Sequence, residues 1–150
     1  MSLFELWRSG LVRRWHCNPD LAHTGQSNAA HQWGVAMIIL AQHPNPSAAL
    51  IRAALCHDVG EMVVGDLPYP FKKANPDFAA RHRDFEDMAR VNLVGAFDLT
   101  ETDWRWLKYA DAHEAILWMR QHRPELESRA DWAEQVKQTR YELTLLEAEQ

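Results

Sequence analysis

A chain of 150 residues with a net charge of −5 is long enough for one compact domain, which at this size buries roughly 68–70% of its unfolded surface and needs no disulfides. Its 47% hydrophobic and 25% charged residues exclude intrinsic disorder, and the acidic balance argues against general nucleic-acid binding, which needs a basic field. A small phosphorylated substrate stays open, because lysines and a metal can reverse the sign of the potential inside a pocket.

The first segment, MSLFELWRSGLVRRW, carries a charge every few residues and lacks the apolar run of a signal peptide. No stretch approaches a membrane span. The two cysteines, Cys17 and Cys56, form no CxxC pair and suit a reducing cytoplasm. Cys56, beside Ala53, Ala54 and Leu55, reads as a small core residue.

From there the periodicity is helical almost throughout. Ser27 is placed to cap a helix with Ala30, Trp33, Ala36, Met37 and Leu40 facing inward, ended by Pro44 and Pro46. Ser47 caps a second helix with Leu50, Ile51, Ala54 and Leu55 on one face, which reaches His57-Asp58 and stops near Gly60 or Gly65. Residues 65–75, GDLPYPFKKAN, hold two prolines and a glycine and are expected to be a loop. Asn75-Pro76 is a cap followed by proline at the first helical position, opening a helix to about Phe97. Thr100 with Asp103 resembles a capping box for a long helix through Trp118, and Pro124 starts a last helix to about Leu146. No alternating pattern marks a strand, and there is no repeat, low-complexity tract or linker. The expectation is an all-α fold, a single domain over residues 1–150 built as a bundle of five or six main helices.

One His-Asp dipeptide is weak evidence, since chance alone supplies on the order of half a pair in such a chain. Its context says more. His57 and Asp58 close an apolar helix, where two polar residues are costly to bury without partners. Glu61 follows His57 by one helical turn on the same face. His31 lies on an otherwise apolar helix, and Asp111 interrupts the stripe Leu107, Ala110, Ala115, Trp118. A lone histidine on an apolar face is more often a satisfied core residue, and Asp111 alone could pair with Lys108 or Arg105. All four together would have to be independent exceptions. Two histidines and two carboxylates suit one divalent ion such as Mn, Co, Fe, Ni or Zn, which would lower the pKa of water and make a nucleophile at neutral pH. Glu61 is then available to accept or donate a proton.

The order H…HD…D formed by His31, His57-Asp58 and Asp111 resembles the HD-domain phosphohydrolases. The segment AALCHDVGEMVVGDLPYPFK resembles the 5'-deoxynucleotidase subfamily, as do the Arg14-Trp15 pair and the stretch LKYADAHEA around Asp111, over roughly residues 13–118. The resemblance implies an HD-domain bundle in which His31, His57, Asp58 and Asp111 hold the metal. It further implies that Glu61 assists the attacking water or the leaving group, Asp66 contacts the sugar 3'-hydroxyl, and Arg14 and Lys72 hold phosphate. Trp15 packs on base or sugar, and Lys108 is a further phosphate candidate. A Mg ion could accompany the substrate phosphates.

Each of these has a plainer reading: Lys72-Lys73 as a solvated pair, Arg14 as an end-of-helix cation, Trp15 as core, Asp66 as a turn residue. The joint fit favours function. Two features depart from the subfamily: Ala30 precedes the first histidine, and His16 and His23 are additional. The compact interval from Asp58 to Asp111 resembles small phage-encoded HD enzymes, including dATP triphosphohydrolases, which would place the chain in a host cytoplasm.

The function expected is therefore hydrolysis of a 2'-deoxynucleotide at its 5'-phosphate side, with a dNTP triphosphohydrolase set slightly ahead of a 5'-deoxynucleotidase acting on dNMPs. A catalytically silent nucleotide-binding module comes behind both, because the ligand set and Glu61 are intact. The partner is a small deoxynucleotide, not a nucleic acid or a membrane. Seven tryptophans point to a homo-oligomer, since large aromatics favour interfaces.

Overall fold

In a computed structural model of the chain, which describes residues 2–149, the described residues are all-α. The helices in chain order are α1 (Leu3–Ser9), α2 (Asn28–Gln42), α3 (Ala48–Cys56), α4 (Glu61–Val64), α5 (Tyr69–Ala74), α6 (Pro76–Val94), α7 (Glu101–His122) and α8 (Ala130–Ala148). Single 3-10 turns lie at Ala22–Thr24 and Pro124–Ser128. The one sheet-like contact among the described residues is an isolated bridge between Arg13 and Ser27.

Most helix starts follow from local chemistry. The Ser47 hydroxyl accepts from the Leu50 amide at 3.0 Å, and Ser27 does the same for Ala30 at 3.3 Å. Thr100 and Asp103 form the full capping box at the start of α7. A second box, Ser2 with Glu5, opens α1, a helix not expected from the sequence. Gly95, with φ 79°, ends α6 at Val94 rather than near Phe97. The segment 65–75 is not wholly a loop, because Pro70 sits in the first turn of α5, where a missing N–H costs nothing. Pro124 opens a 3-10 turn, and α8 begins only at Ala130.

The described residues fall into two compact units, each made of two chain segments. The first takes the chain up to Ala30 and then Cys56–Ala96. Within it α1, α4 and α5 pack on α6. The second takes His31–Leu55 and the chain from Phe97 onward. It holds a core of Val35, Ala36, Ile38 and Ile39 from α2, Leu50, Ala53 and Ala54 from α3, Trp106, Leu107, Tyr109 and Ala110 from α7, and Leu146 from α8.

The inward face of α2 is therefore not the expected one. Ala36 is buried as expected, but Ala30, Trp33, Met37 and Leu40 are exposed, Trp33 at 62%. His31, Gln32, Val35, Ile38 and Ile39 are buried instead. On α3, Leu50 and Ala54 are buried, but Leu55 is exposed.

Candidate active site

In the first unit, α3 has ended by the time the chain reaches His57. The Val59 amide bonds back to the Cys56 carbonyl and the Glu61 amide to the Asp58 carbonyl at 3.1 Å, so residues 57–60 form a turn that leads into α4. His57 and Glu61 are thus not neighbours on one continuous helix. The turn brings the two side chains of the dipeptide together, with His57 Nε2 3.3 Å from Asp58 Oδ1.

Glu61 opens α4 and is buried. Its Oε2 accepts from Asn28 Nδ2 at 2.8 Å, and the same amide reaches the Asp58 carbonyl at 3.3 Å. Asn28 is itself fully buried, and its Oδ1 has no hydrogen-bond partner among the described residues. A buried acceptor left in this state is uncommon and is a natural seat for a water. Asn28, the first residue of α2, was not expected from the sequence.

Glu86 of α6 was also missed. One oxygen from each of Asp58, Glu61 and Glu86 can be chosen so that all lie within 4.8 Å of one another. Three carboxylates this close repel, and burial adds to the cost of charging them. Burial, then the nearby Asp58 and Asp66, push the Glu61 carboxyl up to about 8, against the opposing bond from Asn28. Burial and Asp58 push Glu86 up to about 7, with Lys72 pulling the other way. Oxygen donors in this number form a group able to hold a hard or borderline divalent cation, which would take the place of the protons.

Asp66 lies between α4 and α5, and Lys72 lies on α5. The Lys72 ammonium donates to Asp66 Oδ1 at 3.0 Å. Burial works against the lysine's charge, but Asp66, with Glu86 and Glu61 behind it, outweighs burial and the Lys72 pKa is raised. The pair therefore sits together, not at opposite ends of a site.

Arg14 and Trp15 stand in a strained stretch. Trp15 has φ 63°, a left-handed conformation that is rare for a bulky side chain. The conformation is held from several sides. The indole N–H donates to Gln26 Oε1 at 2.6 Å, the Arg14 amide bonds to the Gln26 carbonyl at 2.9 Å, and the Asn18 amide bonds to the Trp15 carbonyl at 2.7 Å. The Arg14 guanidinium lies over the Trp15 ring, 5.5 Å from its centroid. Strain of about 1–3 kcal/mol persists only where the surroundings over-determine it, and it gathers at ligand clamps.

In the second unit, His31 of α2 is fully buried between two carboxylates of α7. Its Nε2 lies 3.0 Å from Asp111 Oδ1, and its Nδ1 lies 2.5 Å from Glu114 Oε2. Asp111 is half-exposed while Glu114 is buried. Arg105, weighed as a partner for Asp111, instead bridges Glu142 of α8 and Glu149 just past its end. Lys108 is exposed on α7. Glu114 was not expected from the sequence, although a charged residue among the buried Ala110, Ala115 and Ile116 was a visible signal.

Each unit thus holds a contact between a histidine and an aspartate, His57 with Asp58 in the first and His31 with Asp111 in the second. Residues 5–103 match the family described as 5'-deoxynucleotidase YfbR-like. The chain belongs to the YfbR-like 5'-deoxynucleotidase family. It is a hydrolase of deoxynucleotide phosphates. The match favours removal of a phosphate from a monophosphate, the second of the two enzymatic readings, and nothing in it supports the triphosphohydrolase preference or a kinship with phage dATP triphosphohydrolases. No curated protein and no solved structure matches the chain at a significant level. No helix among the described residues is long and apolar enough to cross a membrane.

Proposed function

We propose that the chain is a 5'-deoxynucleotidase that hydrolyses deoxynucleoside 5'-monophosphates to the deoxynucleoside and inorganic phosphate. The observation that carries this reading is the YfbR-like match over residues 5–103, which spans the His31, His57-Asp58 and Asp66 positions. In this reading His31, His57, Asp58 and Asp111 together hold one divalent transition metal ion. The donor chemistry supports it: His31 with Asp111 and His57 with Asp58 are each paired imidazole and carboxylate, the mixed N/O set that Mn, Co, Fe, Ni or Zn accepts. A bound ion would supply Lewis acidity at the phosphoryl group and lower the pKa of water.

The chain's own groups do the rest. Water forms the new P–O bond, the bond from phosphorus to the sugar O5' breaks, and O5' needs a proton as it leaves. Glu61, whose carboxyl is pushed up to about 8 by burial, is suited to exchanging that proton, with Asn28 Nδ2 fixing its orientation. Asp66 accepts from the sugar 3'-hydroxyl and favours deoxyribose. Lys72 holds the Asp66 carboxylate in place, and together with Arg14 supplies positive charge toward the phosphate. Trp15 offers a face for sugar or base, and Lys108 remains a candidate for a phosphate contact. Self-association belongs to the same reading, since α2 presents Trp33, Met37 and Leu40 to solvent, and a monomer by light scattering at micromolar concentration would remove it.

The test is product analysis. Purified protein with Mn or Co, offered each dNMP, NMP and dNTP, is expected to release inorganic phosphate from dNMPs with a preference over NMPs. Release of triphosphate from dNTPs, with dNMPs untouched, would overturn the reading in favour of a triphosphohydrolase.

A further inference from the structure

Gly34 stands in the interior of α2, where glycine costs roughly 0.5–1 kcal/mol relative to alanine. The space that a side chain at this position would take is filled by Glu114. A Cβ built on Gly34 would stand 2.8 Å from Glu114 Cγ and 3.2 Å from its Oε1. The missing side chain is the space that Glu114 occupies. Glu114 uses that space to reach His31, with its Oε2 2.5 Å from Nδ1. Glu114 lies three residues after Asp111, so one face of α7 presents both carboxylates to the two ring nitrogens of one buried imidazole.

The chemistry of that arrangement is directional. A carboxylate oxygen accepts, so Nδ1–H donates to Glu114, and a cation lying between Nε2 and Asp111 Oδ1, which are 3.0 Å apart, would meet the Nε2 lone pair and a carboxylate together. This is the tautomer a metal-binding histidine must adopt, and a carboxylate on the far nitrogen is the common device for fixing it.

We propose that Glu114 is a positioning residue that fixes the tautomer and ring orientation of His31, and that Gly34 is retained to admit it. The inference rests on the reading of His31 as a metal ligand. Glu114 is not a catalytic residue, since it acts only through the imidazole. Neither Glu114 nor Gly34 is among the residues that the H…HD…D pattern singles out.

The experiment compares Glu114→Ala, Glu114→Gln and Gly34→Ala with the parent chain and with His31→Ala and His57→Ala. Two readouts do not depend on turnover: the downfield Nδ1 proton of His31 by NMR in chelated protein, and Co(II) affinity with its visible spectrum by titration. Glu114→Ala is expected to lose the downfield proton and bind Co(II) about 10–100-fold more weakly. Glu114→Gln, which keeps a neutral acceptor, should retain much of that affinity. Gly34→Ala should reproduce the weakening without touching any ligand, because the flexible Glu114 side chain is what must shift. Its melting temperature should not fall with the affinity, since alanine is the better helix former.

Combining Glu114→Ala with His31→Ala should weaken binding no further than His31→Ala alone. If Glu114→Ala loses the NMR signal yet binds Co(II) as the parent does, while His57→Ala does not bind, the metal site stands and the positioning role is overturned. If His31→Ala and His57→Ala both bind Co(II) as tightly as the parent, the metal-site reading falls and takes this inference with it.

Discussion

Gly60 lies so close to α6 that a Cβ built on it would stand 2.3 Å from the main-chain oxygen of Glu86. That contact sets how near the turn carrying Asp58 and the start of α4 can come to the helix carrying Glu86. Gly60 has ordinary helical angles, φ −64° and ψ −28°, so alanine there would meet no backbone strain of its own. The whole penalty is the collision with main chain, which cannot swing aside as a side chain can.

Gly60→Ala is therefore expected to destabilise the protein by about 1–3 kcal/mol, the usual cost of overpacking. It should also lower kcat, because Asp58, Glu61 and Glu86 are pushed apart. Thermal melts and steady-state rates on one preparation check both. A Gly60→Ala protein with parental melting temperature would show that the close approach is not made in solution.

His57→Ala or Asp58→Ala is expected to abolish metal binding and turnover together, since losing one ligand leaves a distorted site and an unpaired buried partner. Glu61→Gln should separate the two. It keeps an acceptor for Asn28 Nδ2 and much of the shape, so metal content should hold while kcat falls by about 10²–10⁴-fold, the range for lost proton transfer. Metal analysis beside kinetics decides it. A Glu61→Gln enzyme with unchanged kcat would remove Glu61 from the reaction.

Much of this was readable in advance and some was not, for physical reasons. The all-α class, the caps at Ser27, Ser47 and Thr100, and the end of α2 before Pro44 rest on local chemistry and appear as expected. The phase of α2 does not. Val35, Ala36, Met37, Ile38, Ile39 and Leu40 run unbroken, so nearly every face of that helix is apolar and periodicity cannot choose among them. The large Trp33 favours one face by bulk, yet the structure buries the face bearing His31 and Gln32.

The two missed acids differ in kind. Glu114 sits among buried apolar residues of α7, and its cost of burial was legible. Glu86 lies in the run RHRDFEDMAR, where Asp84 and Asp87 look the same. Only the tertiary approach of α4 to α6 tells it apart.

Asp66 and Lys72 share an ion pair, so their substitutions should not be independent. Asp66→Ala is expected to raise KM for deoxynucleotides and erode the preference over ribonucleotides. Lys72→Ala removes the cation that holds Asp66 in place, and should produce part of the same loss. The double variant should then fall short of the product of the two single effects. Steady-state kinetics on dAMP and AMP measures this. Full multiplicativity would mean that the two residues act at separate places on the substrate.

The last expectation concerns pH and the metal-free protein. Glu61 and Glu86 hold protons in the folded chain up to about 8 and about 7, well above the ordinary carboxyl value of 4.5, chiefly because burial and Asp58 disfavour their charged forms. Between 4.5 and those values the folded state binds more protons than the unfolded chain does, so stability must fall as pH rises through that window. Their contribution is fully present below the unfolded value and is lost once pH passes the folded one. Chelated protein should thus melt at lower temperature at about pH 8.5 than at about pH 5, opposite to the trend set by salt-bridged acids whose pKa is lowered. Glu86→Gln should flatten the lower part of the descent and Glu61→Gln the upper part, since an amide has no proton to lose. A divalent cation held by Asp58 should shrink the slope in the parent, because its charge offsets the repulsion that Asp58 exerts on both carboxyls. A melting temperature that is flat or rises across this range in chelated protein would show that the three carboxylates do not share a buried site.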